Sequence, residues 1–322
     1  MQVAADYFQF IDGNDRLGLT SPDALWRWIE SGATGKLTAG TWVLNPGQDT
    51  YFRGQASAQY GVSSKLYRDC LAAAKEAGRT TISEADLAGA EQVILRAMGS
   101  EGIGRRMSEG EMLMVLQHHG IATRLLDVSA SPKEALFFAC DQHGEQDGRF
   151  FVFALAPGGD SAGGADQLAL GSAKTLPWSG VAVGNRYATG EWTQRVAVVN
   201  DAALDPRMRA QNGRFLVGGL ARRYAGKSRR IGDRYLAADQ FPEVCTLDVN
   251  FLRTRKSTHS PRWGASGWSI RVPAEWKIEL MQRLADEDEP ITPDTMYPPL
   301  HEVGRLARRL LIQHFESATS GR

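Results

Sequence analysis

Apolar residues follow two different rhythms along this chain, and their alternation predicts a mixed architecture. Leu25, Trp26, Trp28 and Ile29 recur at helical spacing behind Ser21-Pro22-Asp23, a helix start with serine as cap and proline in the first turn. Thr50-Tyr51-Phe52-Arg53-Gly54-Gln55 and Arg149-Phe150-Phe151-Val152-Phe153-Ala154-Leu155 read as strands. A strand over 40–45 and a Pro46-Gly47 turn would make the first of these half of a hairpin. Residues 71–117 read as helical, most clearly over 85–98, with an interruption at Ser100-Glu101-Gly102-Ile103-Gly104. Further strands are predicted over 180–183, 195–199, after an Asn212-Gly213 turn, over 244–251 and over 268–272, and helices over 274–285 and 300–315. Residues 1–20 read as a short lead-in, and the Gly-, Ala- and Ser-rich stretch 157–166 as the most mobile loop. The class is therefore α+β. Residues 1–45 are a lead-in and helix packed on a main domain, 46–322, which is helical from about residue 274.

One stretch crowds polar groups between two apolar helices: Gln117-His118-His119-Gly120, then Thr123-Arg124-Leu125-Leu126-Asp127-Val128-Ser129. A helix carrying Met112, Leu113, Val115 and Leu116 runs into it, and Gly120 lets the chain turn. Ser131-Pro132-Lys133-Glu134 then starts the next helix, with Ser131 as cap and Glu134 placed to bond back to the cap amide. Free amides at that helix start favour an anion beside Thr123, Arg124, Asp127 and Ser129. The bland alternative is that Arg124 and Asp127 form a buried ion pair and His118 a satisfied core histidine.

Arg53 is singled out because it lies between an aromatic strand and Gly54, where the backbone leaves room for a ligand before a fork of donors. Its bland alternative is a surface arginine paired with a carboxylate. Arg222, Arg223, Lys227, Arg229 and Arg230 form the densest positive run, and Arg253, Arg255, Lys256 and Arg262 lie beside Trp263 and Trp268 in a second. Basic residues near aromatics suit nucleic-acid contacts, whereas their bland reading is solvated loops.

Composition narrows the picture. Apolar residues make up 43% of the 322 residues and charged residues 23%, which are globular values. Lys plus Arg equals Asp plus Glu, 37 each, so the protein is not one that coats nucleic acid by bulk charge. Cys70, Cys140 and Cys245 show no paired spacing, which implies neither a metal site nor a disulfide framework. No apolar run reaches the roughly 20 residues of a membrane helix, and a cytoplasmic location without membrane contact is the expectation.

Tyr51-Phe52-Arg53-Gly54-Gln55, Gln117-His118-His119-Gly120, Thr123-Arg124-Leu125-Leu126-Asp127, Arg207 to Phe215 and Tyr297-Pro298-Pro299-Leu300 together resemble the FRG domain family. His119 departs from that pattern, where relatives more often carry an aromatic, and this puts the functional weight on His118. Asp127-Val128-Ser129-Ala130-Ser131-Pro132 with Ala135, Phe137 and Phe138 is also similar to the middle motif of ADP-ribosyltransferases. That likeness implies a central split, mostly antiparallel sheet surrounded by helices, with NAD as substrate and no metal. It implies that Arg53 and Arg124 clamp the diphosphate, that Gly54, Gln55, Gly120, Thr123 and Ser129 help hold the dinucleotide, and that His118 and Asp127 serve the chemistry. A third strand normally supplies a glutamate, and Gln211 stands at that place, leaving the base to Asp127, His118, Glu191 or Glu302. The implied activity is transfer of ADP-ribose to a macromolecule, with nucleic acid favoured over protein because of the basic runs. The alternatives are NAD hydrolysis and a phosphate- or nucleic-acid-binding module. A toxin or phage-defence role with an antitoxin or immunity partner rests on the same likeness. The acceptor, the base and the oligomeric state stay open.

Overall fold

A computed structural model describes residues 2–33, 49–104, 106–156, 167–172, 176, 178, 192–199, 206–221, 229–231, 234–237, 240–251 and 264–297. Eight strands form the main sheet: β1 (Thr50–Gln55), β2 (Leu126–Ser129), β3 (Gly148–Leu155), β4 (Gln167–Leu168), β5 (Ala197–Val199), β6 (Gly213–Val217), and, after the separate hairpin β7 (Arg229–Ile231) and β8 (Arg234–Leu236), β9 (Val249–Phe251) and β10 (Ala265–Val272). Their order is β4-β5-β6-β2-β1-β3-β10-β9. Only β4 with β5 and β9 with β10 run parallel. The fold is thus mixed α/β around a mostly antiparallel sheet.

The sheet is unevenly knitted. β3 pairs with β1 over the full length of β1 and with β10 from Ala265 to Val272, whereas β1 and β2 meet at the one pair Phe52↔Ser129. That junction is the most sparsely paired in the described sheet, and it is called the seam below.

Both faces of the sheet are covered, which is why β3 reads as an unbroken apolar run. Phe151, Phe153 and Leu155 enter one core with Tyr7 and Phe8 of α1 (Gln2–Phe10) and Phe251. Phe150, Val152 and Ala154 enter the opposite core with Trp28 of α3 (Pro22–Glu30), Leu136 and Phe137 of α7 (Pro132–Cys140), and Leu280 and Leu284 of α10 (Ala274–Ala285). Each such fully buried side chain contributes roughly 1.5–3 kcal/mol. A third core, beneath β5 and β6, takes Met112, Leu113 and Leu116 of α6 (Glu109–His118) and Ala88 and Leu95 of α5 (Glu84–Ser100).

Ser21 caps α3 through its side chain as expected, accepting from the Ala24 amide at 3.1 Å. Asn212 takes φ +47° ahead of β6, as the turn reading required. Three expectations are corrected. The lead-in carries a helix, α1, whose Tyr7 and Phe8 are fully buried. The predicted strand over 244–251 begins with a helical turn, Phe241–Val244, and only its end pairs. Ser131 gives α7 no side-chain cap; its amide donates to Ser129 Oγ instead, while Glu134 accepts from Asn212 Nδ2 at 2.6 Å. The strands expected over 40–45 and 180–183, the loop 157–166 and the helix 300–315 lie outside the described residues. No helix among the described residues is long and apolar enough to cross a membrane.

Candidate functional site at the seam of the sheet

A cavity of about 310 Å³ opens where β1 and β2 part. Strand alternation sends Phe52 into the core and leaves Arg53 facing the opening, with 22% of its side chain exposed. Arg53 Nη1 donates to the Asp127 carbonyl at 2.5 Å and lies 3.8 Å from Asp127 Oδ2, so it bridges the seam. Its Nε is buried without a partner among the described residues. Burial pushes the guanidinium below the ordinary arginine pKa, Asp127 opposes this, and neighbouring Arg68 adds to it. An anion brought to Arg53 would relieve both costs.

Gly54 serves a different purpose from the one read in the sequence. A Cβ there would stand 1.9 Å from the Ala135 carbonyl oxygen and 2.5 Å from the Ala139 nitrogen. The glycine makes room for the backbone of α7 crossing β1, and the space over its Cα belongs to that helix.

Asp127 lies on the open side of β2 with its side chain 57% exposed, and a short chain of hydrogen bonds fixes its carboxylate. Thr123, fully buried, donates its hydroxyl to Gln117 Oε1, and Gln117 Nε2 donates to Asp127 Oδ2 at 2.9 Å. Because Oε1 is already taken by a donor, the amide can only present its N–H to Asp127. Thr123 therefore acts through Gln117 and does not itself line the cavity. His118, on the last turn of α6, does line it.

Ser129 is present as expected, but its hydroxyl is committed: Oγ donates to the Gln211 carbonyl at 2.8 Å and accepts from the Ser131 amide at 3.0 Å. It stitches β2 to the segment ahead of β6, and this brings Gln211 into the cavity wall. Gln211 Nε2 donates to the Met296 carbonyl at 2.9 Å. Phe138, Phe215, Met208 and Tyr297 supply the apolar wall. None of these four was named as a site residue from the sequence, although Phe138 lay in the ADP-ribosyltransferase-like motif, Met208 and Phe215 in the Arg207 to Phe215 segment, and Tyr297 in the Tyr297-Pro298-Pro299-Leu300 run.

Besides Thr123, two more expected site residues lie outside this cavity and its neighbour. Gly120 has φ +70° and serves the turn after α6. Arg124, 2% exposed, turns away from the cavity into the protein interior. Its Nη1 lies 2.7 Å from Glu84 Oε1 and its Nε 3.0 Å from Glu91 Oε2, and its guanidinium stacks 5.2 Å over Trp178. Trp178 Nε1 donates to Glu91 and the Leu220 amide to Glu84, each at 2.6 Å. Burial works against the charge of Arg124, but Glu91 and Glu84 outweigh it and raise its pKa. The two-arginine clamp is thereby overturned, because an arginine buried against two carboxylates has no reach into the cavity.

Gln55 lines a second hollow that adjoins the first at Arg53. Arg222, Arg223, Lys227, Glu191 and Glu302 lie outside the described residues, as do the side chains of Arg229 and Arg230, whose backbone forms β7.

No curated protein and no solved structure matches the chain. Residues 48–148 match the FRG domain family, a span that holds Arg53, Gln117, His118, Thr123, Asp127 and Ser129 and ends before Gln211 and Tyr297.

Proposed function

We propose that this cleft binds NAD and that the protein transfers the ADP-ribose unit to a macromolecule, with nucleic acid as the favoured acceptor. One observation carries the reading: β1, β2 and β6 lie side by side, so Arg53, Asp127, Ser129 and Gln211 from distant segments line one cavity. Arg53, with its unpartnered Nε, suits a phosphate oxygen. The Phe138, Phe215 and Tyr297 wall suits a planar heteroaromatic ring.

When bound, NAD supplies a ribosyl carbon with a good leaving group. Breaking the bond from C1′ of the ribose to nicotinamide leaves the electron pair on nicotinamide, and an oxygen or nitrogen of the acceptor forms the new bond to C1′. Asp127 is the carboxylate at the cavity wall. It stabilises the positive charge that develops on the sugar and accepts the proton released by the acceptor. Gln211 offers its amide oxygen to a ribose hydroxyl, since its nitrogen is held by Met296.

The test is incubation of purified protein with NAD labelled in the nicotinamide, alone and with single-stranded DNA, RNA or protein. Nicotinamide released in an acceptor lane, with label from the adenosine end following the acceptor, supports transfer. Equal release in every lane means hydrolysis. A second reading, a module that binds nucleotide without cleaving it, draws on the lack of a glutamate among the residues lining this cavity. Binding without release in any lane would establish that one.

A further inference from the structure

The second hollow, about 580 Å³, shares Arg53, Gly54, Phe138 and Tyr297 with the first, so the two form one continuous trough with Arg53 on the ridge between them. Its far wall is one face of α4 (Lys65–Glu76): Arg68, Ala72 and Lys75 stand at positions i, i+4 and i+7. Arg68 and Lys75 are exposed, and neither forms an ion pair with a described carboxylate. Arg68 also lies close enough to Arg53 to work against its charge. Three cations thus face one hollow, against the carboxylates of Asp141 and Glu243, and Asp141 already accepts from the Tyr297 hydroxyl at 2.8 Å.

A buried polar atom adds a second, independent observation. Gln55 is 8% exposed, and its Nε2 donates to the Gly61 carbonyl at 3.0 Å, which fixes the amide. Its Oε1 is left buried with no donor among the described residues. A buried acceptor without a partner costs roughly 1–3 kcal/mol, so this atom calls for an N–H group on whatever fills the hollow. Tyr60, 42% exposed at the same hollow, presents an aromatic face on which a base can stack.

We infer that this hollow is a nucleoside 5′-phosphate site that takes the adenylate half of the dinucleotide, with Gln55 Oε1 accepting from the adenine amino group and Arg68 and Lys75 facing the phosphate. The inference rests on the NAD reading for the identity of the whole ligand, but the site itself is testable without any bond cleavage. Arg68, Lys75 and Tyr60 thereby become specificity residues that no motif had marked.

Isothermal titration of the full-length protein with AMP, adenosine and purine riboside 5′-monophosphate, which lacks the amino group, separates the contributions. AMP is expected to bind, and the analogue about 5- to 10-fold more weakly, the worth of one hydrogen bond. Gln55→Leu should erase that preference. Arg68→Ala with Lys75→Ala should weaken AMP by about tenfold or more and leave adenosine unchanged. Both cations are exposed, and Arg68 gives up only its hydrogen bond to the Ser63 carbonyl, so these variants should stay folded, with a melting temperature at most a few degrees below the wild type. No AMP binding, or AMP binding indifferent to all three substitutions, overturns the inference. If AMP binds here and NAD is never cleaved, the nucleotide site stands and the transferase reading falls. If NAD is cleaved and AMP does not bind, the reverse holds.

Discussion

Arg53 and Arg124 look alike in the sequence, each in a short polar stretch next to a strand, yet the fold uses them in opposite ways. Arg53 makes one neutral hydrogen bond across the seam, keeps a buried nitrogen without a partner, and stands 3.8 Å from a largely exposed carboxylate. Arg124 is enclosed by two buried glutamates and a tryptophan. What an arginine does is decided by how much of its charge the protein has already answered. The charge of Arg124 is balanced by two carboxylates that hold α5 to the sheet, although its Nη2 is also buried without a partner among the described residues; Arg53 has one distant, exposed carboxylate and faces a cavity.

The sharpest way to break this contrast is substitution at both positions. Arg124→Ala would leave Glu84 and Glu91 buried without their cation, and a loss of roughly 3–5 kcal/mol is expected, read as a large drop in the urea midpoint. Arg53→Ala should cost far less stability while abolishing nucleotide binding. Equal destabilisation by both variants would end the distinction.

Gly54→Ala probes the seam from the other side. Its Cβ would meet the Ala135 carbonyl at 1.9 Å, so α7 must shift, and a loss of about 1–3 kcal/mol is predicted from thermal unfolding. Unchanged stability would mean that the glycine serves the ligand after all.

Asp127→Asn tests the chemistry with little change of shape. Turnover of NAD should fall by roughly 10²- to 10⁴-fold with stability within about 0.5 kcal/mol, because the carboxylate is exposed and weakly paired. Smaller still is Gln117→Leu, which frees the Asp127 carboxylate from its orienting donor. A decrease of about tenfold in turnover, with the affinity for ADP-ribose unchanged, is the expected signature of a positioning residue. An equal loss of affinity would place Gln117 against the ligand instead.

Much of the fold was legible, and the reasons are local. β1, β3, α3 and α10 announce themselves through apolar period and caps, and the Asn212-Gly213 turn through its dipeptide. α1 was missed because no cap signal precedes it, although apolar residues, Tyr7, Phe8 and Phe10 among them, make up most of its length. At the site, Arg53, His118, Asp127, Ser129 and Gln211 line one cavity and Arg124 does not. A signal for Arg124 was nonetheless present. Glu84, Leu87, Ala88, Glu91 and Leu95 share the buried face of α5, and two carboxylates seven residues apart on an apolar face require a buried cation. Phe138, Phe215 and Tyr297 fell within the quoted motifs but were not legible as wall residues, because an apolar cavity wall and an apolar core have the same composition; only tertiary placement separates them.

The most direct measurement is a crystal structure of the protein soaked with ADP-ribose. The account predicts diphosphate oxygens within hydrogen-bonding reach of Arg53, the adenosine on the Arg68 side of that ridge, the free ribose toward Asp127 and Gln211, and Arg124 still closed on its two glutamates. Ligand density away from Arg53, or a diphosphate reached by Arg124, would contradict it.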